Sequence, residues 1–171
     1  MIRAKRDDCI DIRSVHEAGH AIAAIRMRVR FSYVSIEPLL PNTGGHTMMT
    51  LPLHNGTLKS IRRLLVVLFA GASAADHILK LDGAFYEAQI AGDLVQIKAT
   101  MAAHSKPFSA HARHLFVRDC RSRAEAMVRI PAVEQAIRDV AIALELRKSL
   151  SANQVKRIYE RRTKVMSRRI D

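Results

Sequence analysis

The string His16-Glu17-Ala18-Gly19-His20 constrains this chain more than any other part of it. Two imidazoles four residues apart share one face of an α-helix and can reach one metal ion together, while the glutamate, one step round, points at the ion's open position. Around them Val15, Ala18, Gly19, Ala21, Ile22, Ala23, Ala24 and Ile25 make a nearly uncharged helix interior. Such a helix is buried, and a buried polar group without a partner costs about 1–3 kcal/mol. Two His and a Glu in that setting need something to bind: a metal ion, or one another in a hydrogen-bonded core cluster.

A chain of 171 residues is long enough for one proper core and cramped for two, so residues 1–171 are expected to form a single domain. The metal site falls within 14–104, and a basic helical part spans 105–171. Cys9 and Cys120 are too few for a disulfide framework and show no metal spacing. The first eight residues carry both charge signs with no apolar run behind them, unlike a secretory signal. The longest apolar stretch, Leu64 to Ala75, is well short of the roughly 20 residues a bilayer span needs. These features predict a cytoplasmic protein with no transmembrane segment. The net charge of +12 is uneven: residues 105–171 hold sixteen Lys and Arg against seven Asp and Glu. Such a half is a solvated helix face, or a surface for nucleic acid or an acidic partner.

Ser14, with Glu17 three residues on, has the pattern of a capping box and predicts a helix from there to about Arg28. Phe31 to Ile36 reads as a strand, and Pro38, Pro41, Asn42, Gly44 and Gly45 as a loop. His46 to Leu51 reads as a second strand, completing a small β-ribbon beside the metal helix. Leu58, Ile61, Leu64, Leu65, Leu68, Ala72 and Ala75 follow helical spacing, and Leu81-Asp82-Gly83 breaks that helix. A third helix is expected from Gly92 or Asp93 to His104, ended by Lys106-Pro107. Further helices follow at about 109–128, 131–148 and 151–168, opened by Pro131 in one case and by Ser151 with Gln154 in another. The fold class expected is mainly α.

A catalytic zinc takes three protein ligands and keeps a fourth position for water, so the His pair is incomplete. No His lies six residues past His20, and the next sixteen residues contain no carboxylate. The third ligand must come from a separate element. Candidates are Glu37, His46, His54, Asp76, His77, Asp82, Glu87, Asp93 and His104. Asp93 stands out because Gly92 beside it permits close backbone approach and its helix is otherwise apolar; an ordinary N-cap explains the same residues equally well.

Four ordered blocks carry a resemblance: His16-Glu17-Ala18-Gly19-His20-Ala21, then Val34-Ser35-Ile36-Glu37-Pro38, Gly71 to Ala75 in an alanine-rich helix, and Gly92-Asp93-Leu94. Together with Ala141 to Arg147 and Ser149-Leu150-Ser151 they resemble the peptidase domain of the FtsH-type ATP-dependent zinc metalloproteases over roughly residues 14 to 160. The resemblance implies a zincin-like helical metallopeptidase domain with His16, His20 and Asp93 as ligands of Zn²⁺ and Glu17 as the catalytic residue. The departures are definite. No Gly-x-x-x-x-Gly-Lys-Ser/Thr phosphate loop occurs, so no ATP binding is expected in this chain. Ala72, Ala75 and Asp76 stand where the family has an arginine and paired glutamates, and the turn before Asp93 reads Ala88-Gln89-Ile90-Ala91-Gly92.

The function so implied is a zinc-dependent metalloendopeptidase acting on flexible or unfolded polypeptides. Glu17 takes a proton from water and returns it to the leaving amine. The strand from His46 to Leu51 is either an edge to which an extended substrate adds or a structural hairpin, with nothing in the sequence to favour one. Two alternatives stand beside it. One is a non-catalytic binding protein using Arg121, Arg123, Arg129, Arg157, Arg161, Arg162, Arg168 and Arg169. Aromatics are sparse there (Phe108, Phe116, Tyr159), so any nucleic-acid contact would be phosphate-driven. The other is the peptidase subunit of a separate ATPase, which implies a homo-oligomer. Met48-Met49 could line a substrate groove, whereas His46, His54, His77, His104, His111 and His114 are given no role beyond the ligand candidacies above.

Overall fold

The computed structural model describes residues 10–38, 45–49, 56–81, 83–104 and 109–167, without the side chains of 83–89 and 165–167. In chain order the elements are α1 (Ile12–Met27), β1 (Phe31–Ser35), β2 (His46–Met49), α2 (Leu58–Leu79), α3 (Gly83–Ala103), α4 (Ala110–Val128), α5 (Pro131–Arg147), β3 (Ser149–Ser151) and α6 (Ala152–Ser167). The architecture is mainly helical with a small antiparallel sheet, as the hydrophobic periodicity indicates.

α2 sits at the centre. Leu64 to Ala75 is buried at every position, so this helix is apolar all round and is packed on several sides, by α1, α3 and α4. Thr57 caps its start, accepting from the Ser60 amide. α1 lies against α2 and α5, and the α1–α2 crossing is set by small residues. A Cβ on Gly19 would stand 2.7 Å from the Ala70 carbonyl oxygen and 2.8 Å from the Ala74 Cβ. Only glycine lets the two backbones come that close.

The helix ends show which local signals were decisive. α1 starts at Ile12, not at Ser14: Asp11 is the cap, its side chain accepting from the Arg13 amide. Ser14 and Glu17 are both buried within the helix, so the predicted capping box does not form; Glu17 is engaged elsewhere. At α6 the box does form, Ser151 Oγ accepting from the Gln154 amide and Gln154 Oε1 from the Ser151 amide. Pro131 opens α5 as expected.

The expected ribbon is a sheet of three strands in the order β2-β1-β3. Val34 pairs with Thr47 on one side and with Leu150 on the other. β3 is only three residues, too short for hydropathy to mark it. Among the described residues β2 is therefore an edge. Predicted features at Pro41 to Gly44, Leu51, Lys106-Pro107, Phe108, Arg168 and Arg169, and the reading of Cys9, lie outside the described residues. Cys120 is a buried free thiol, pushed by burial up to about 12 and hence unreactive.

A matched pair of glycine substitutions tests this packing. Gly19→Ala is expected to lower unfolding free energy by about 1–3 kcal/mol, because backbone stands in the way. Gly92→Ala, whose Cβ would meet nothing within 4 Å, should instead raise it by about 0.5–1 kcal/mol through helix propensity. Urea melts of both variants would reveal a looser crossing if Gly19→Ala were neutral.

Candidate metal centre

His16 and His20, one turn apart on α1, bring their Nε2 atoms to 2.9 Å with the rings edge to face. α2 passes directly over them at Gly71, where a Cβ would stand 2.5 Å from His20 Nε2 and 2.8 Å from His16 Nε2. A side chain at this position would fill the space the two rings face. α3 completes the group: Asp93 Oδ2 lies 3.2 Å from His16 Nε2 and 3.4 Å from His20 Nε2. Asp93 occupies the inward stripe of α3, in helical register with the buried Ile90, Ile97 and Thr100.

Asp93 joins the two imidazoles, and of the two grounds for it the apolar helix holds while Gly92 does not. α3 begins at Gly83, so Asp93 lies in mid-helix and the N-cap reading falls. Gly92 points at open space and is not what permits the approach. The usable signal was an acid on an apolar helical stripe. The other candidates are elsewhere: His46 meets the Tyr33 hydroxyl, His77 pairs with Glu134 at 3.1 Å, and His104 Nδ1 bonds the Thr100 carbonyl. Glu37 borders a surface cavity with Asp11, Arg13, Glu145 and Lys148. Asp76 does not join the cluster, and His54, Asp82 and the Glu87 side chain lie outside the described residues.

The donor set fits a tetrahedral divalent ion. Bonds of about 2.0–2.2 Å to nitrogen and oxygen require donor–donor separations of about 3.3–3.6 Å; the carboxylate–imidazole spacings of 3.2 and 3.4 Å are close to this, and the two imidazoles, at 2.9 Å, would move apart slightly to admit an ion. The hydrogen-bond chemistry agrees. His20 Nδ1 donates to the Val67 carbonyl at 2.8 Å, which orients the ring and turns Nε2 toward its neighbours. Asp93 Oδ2 is buried without a regular hydrogen bond, and so is His16 Nδ1. Electron-rich atoms gathered this closely in a buried place need a cation or a proton between them.

Without a metal, that role falls to a proton. Burial disfavours charge on His20, but the Asp93 carboxylate beside it more than offsets this and the imidazole is pushed up to about 9. Burial likewise opposes the charge on Asp93, yet the imidazoles hold its carboxyl well below the usual carboxylate range.

Glu17 stands beside these ligands, buried, with Thr47 Oγ1 donating to its Oε2 at 3.0 Å. Burial pushes its carboxyl above the ordinary value, against the pull of His20, His16 and the Thr47 hydroxyl. At the start of β2, Gly45 passes so close that a Cβ there would be 2.7 Å from Glu17 Cγ and 2.8 Å from the Ser35 carbonyl oxygen. Thr47 is a residue of this cluster that the sequence does not mark. Its bond spans thirty positions, and only the strand pairing places it. Met48 on the same strand is exposed.

Neither a family model nor a curated protein matches this chain. The reading of the centre therefore rests on its geometry.

Two outcomes are expected. At pH 7 the metal-free His20 holds a proton that an incoming ion must displace. Affinity for Zn²⁺, measured by competition with a chromogenic chelator, should rise about tenfold per pH unit from 7 toward 9 and then level off. A flat profile would mean that His20 is already neutral at pH 7. Gly71→Ala should weaken the same affinity by about 10–100-fold with the helical circular dichroism retained.

Proposed function

We propose that this chain is a zinc-dependent metalloendopeptidase of zincin-like architecture, similar to the FtsH-type peptidase domain and acting on flexible or unfolded polypeptides in the cytoplasm. The observation that carries the reading is the placement of a buried carboxylate, Glu17, directly beside a three-donor cluster of two imidazoles and one carboxylate. Zinc held by His16, His20 and Asp93 would supply Lewis acidity toward a peptide carbonyl and lower the pKa of water to about 7.

The protein's own groups do the rest. Glu17 accepts a proton from water and later delivers it to the departing amine. Its raised proton affinity suits a group that must hold a proton between two steps. Thr47 keeps one carboxylate oxygen in place and leaves the other to carry the proton. β2, at the sheet edge, offers backbone donors and acceptors to an extended chain, a mode that reads the backbone more than the sequence. No helix among the described residues is long and apolar enough to cross a membrane.

The rival reading, a binding protein using its basic C-terminal helices, has less support. Several of those cations are already paired within the molecule: Arg121 with Glu125, Arg123 with Asp119, Arg138 with Glu134, and Arg162 with Asp139. The peptidase-subunit alternative shares the chemistry proposed here and differs in its partner.

The deciding experiment combines elemental analysis with casein degradation. Wild type should hold about one zinc per chain. Glu17→Gln should keep the metal while activity falls about 100- to 10,000-fold, and Asp93→Asn should lose metal and activity together. Full activity in Glu17→Gln, or no zinc after remetallation, would sink the peptidase reading.

A further inference from the structure

A second concave site lies at the other end of the α1–α2 pair. α1 and α2 run antiparallel, so beyond the metal centre the last turn of α1 meets the first turns of α2, and the end of α4 closes the third side. The groove encloses about 440 Å³. Arg26 is ten residues past His16, about 15 Å along the helix, so the groove is separate from the metal centre.

Its chemistry is two-sided. Arg26, Lys59, Arg62, Arg63 and Arg123 line it, and among the described residues no carboxylate does. Asp119, outside the lining, is 2.8 Å from Arg123 Nε and 3.6 Å from Arg62 Nε and compensates those two in part. Arg26 donates to the neutral Tyr159 hydroxyl. Among the described residues no carboxylate pairs with Lys59 or Arg63. Between these cations lie the half-buried Met27 and Ile130, 40% exposed, over a floor of the buried Val66 and Met127.

The occupant must therefore be acidic and partly apolar. A second copy of this chain is a poor fit, because each copy carries a net charge of +12. Nucleic acid would satisfy the cations but leave the methionine and isoleucine surface unused, and no aromatic side chain lines the groove for base stacking. A bilayer surface matches a flat or convex face better than a recess between helices, and among the described residues the exposed large apolar side chains include no aromatic anchor. Met27 on one wall and Ile130 on another make an apolar seat between cations, and helices dock in such grooves by apolar residues at helical spacing.

We propose that this groove docks an acidic amphipathic helix of a partner protein, its apolar side chains seated on Met27 and Ile130 and its flanking carboxylates meeting Lys59, Arg63 and Arg26. The inference is independent of the peptidase reading. Binding here leaves the metal centre open.

Fluorescence anisotropy on the full chain tests it, with a fluorescein-labelled 18-residue peptide carrying Leu at helical spacing and Glu at most other positions. Saturable binding is expected, weakened about tenfold or more both by K59E/R63E and by Ile130→Asp. Replacing the Leu residues of the peptide by Ser should weaken it as much, whereas K156E on α6 should leave it unchanged. All substituted side chains are exposed or half-buried, and thermal melts would verify folding. Equal binding of the Ser peptide would overturn the proposal in favour of charge alone. So would insensitivity to both groove variants, which would place the peptide elsewhere. Tighter, K59E/R63E-sensitive binding of a 20-nucleotide oligothymidine or of phosphatidylglycerol vesicles would replace the helix by nucleic acid or lipid.

Discussion

Everything in this molecule that bears on chemistry depends on how closely α1 and α2 can approach. Two glycines face that contact from opposite helices. Gly19 lets the α1 backbone touch α2 at Ala70 and Ala74, and Gly71 removes the side chain that would otherwise occupy the space between the rings of His16 and His20. The burial that results is what makes the polar groups demanding. In water two imidazoles and a carboxylate need no partner; beneath α2 they need a cation.

The parts of the fold legible in the sequence were those governed by short-range geometry. The i, i+4 histidines, the proline that opens α5 and the reciprocal cap of α6 are each settled within five residues. Competing local signals were harder. Ser14 and Glu17 match a capping box as well as Ser151 and Gln154 do, but Glu17 has a tertiary partner in Thr47, and Asp11 takes the cap. Asp93 illustrates the converse. Its neighbour Gly92 drew attention to it for a reason the structure removes, while the informative feature was its place among Ile90, Ile97 and Thr100. β3 and Thr47 exist only through pairings with distant strands, and no window of local sequence contains them.

Charge shows the same division. Counted along the chain, the excess lies in residues 105–171. Folded, many of those cations meet acids on their own or neighbouring helices. Among the described residues Arg26, Lys59 and Arg63, all in the half that looks nearly balanced, share one groove with no carboxylate paired to them. Linear counting measures composition, whereas a partner meets a surface assembled from three helices.

The sheet carries a further consequence for how the molecule matures. Its middle strand, β1, is held on one side by β2, which supplies the hydroxyl to Glu17, and on the other by β3, more than a hundred residues later. Pairings of such separation form late, since the intervening chain must close before they repay its lost freedom. During synthesis the helix bearing His16, Glu17 and His20 emerges before both of these strands, and the sheet behind Thr47 is complete only once residue 151 has left the ribosome. A nascent chain paused before that point has Glu17 without a completed sheet behind it, so the brace and the long-range pairing mature together.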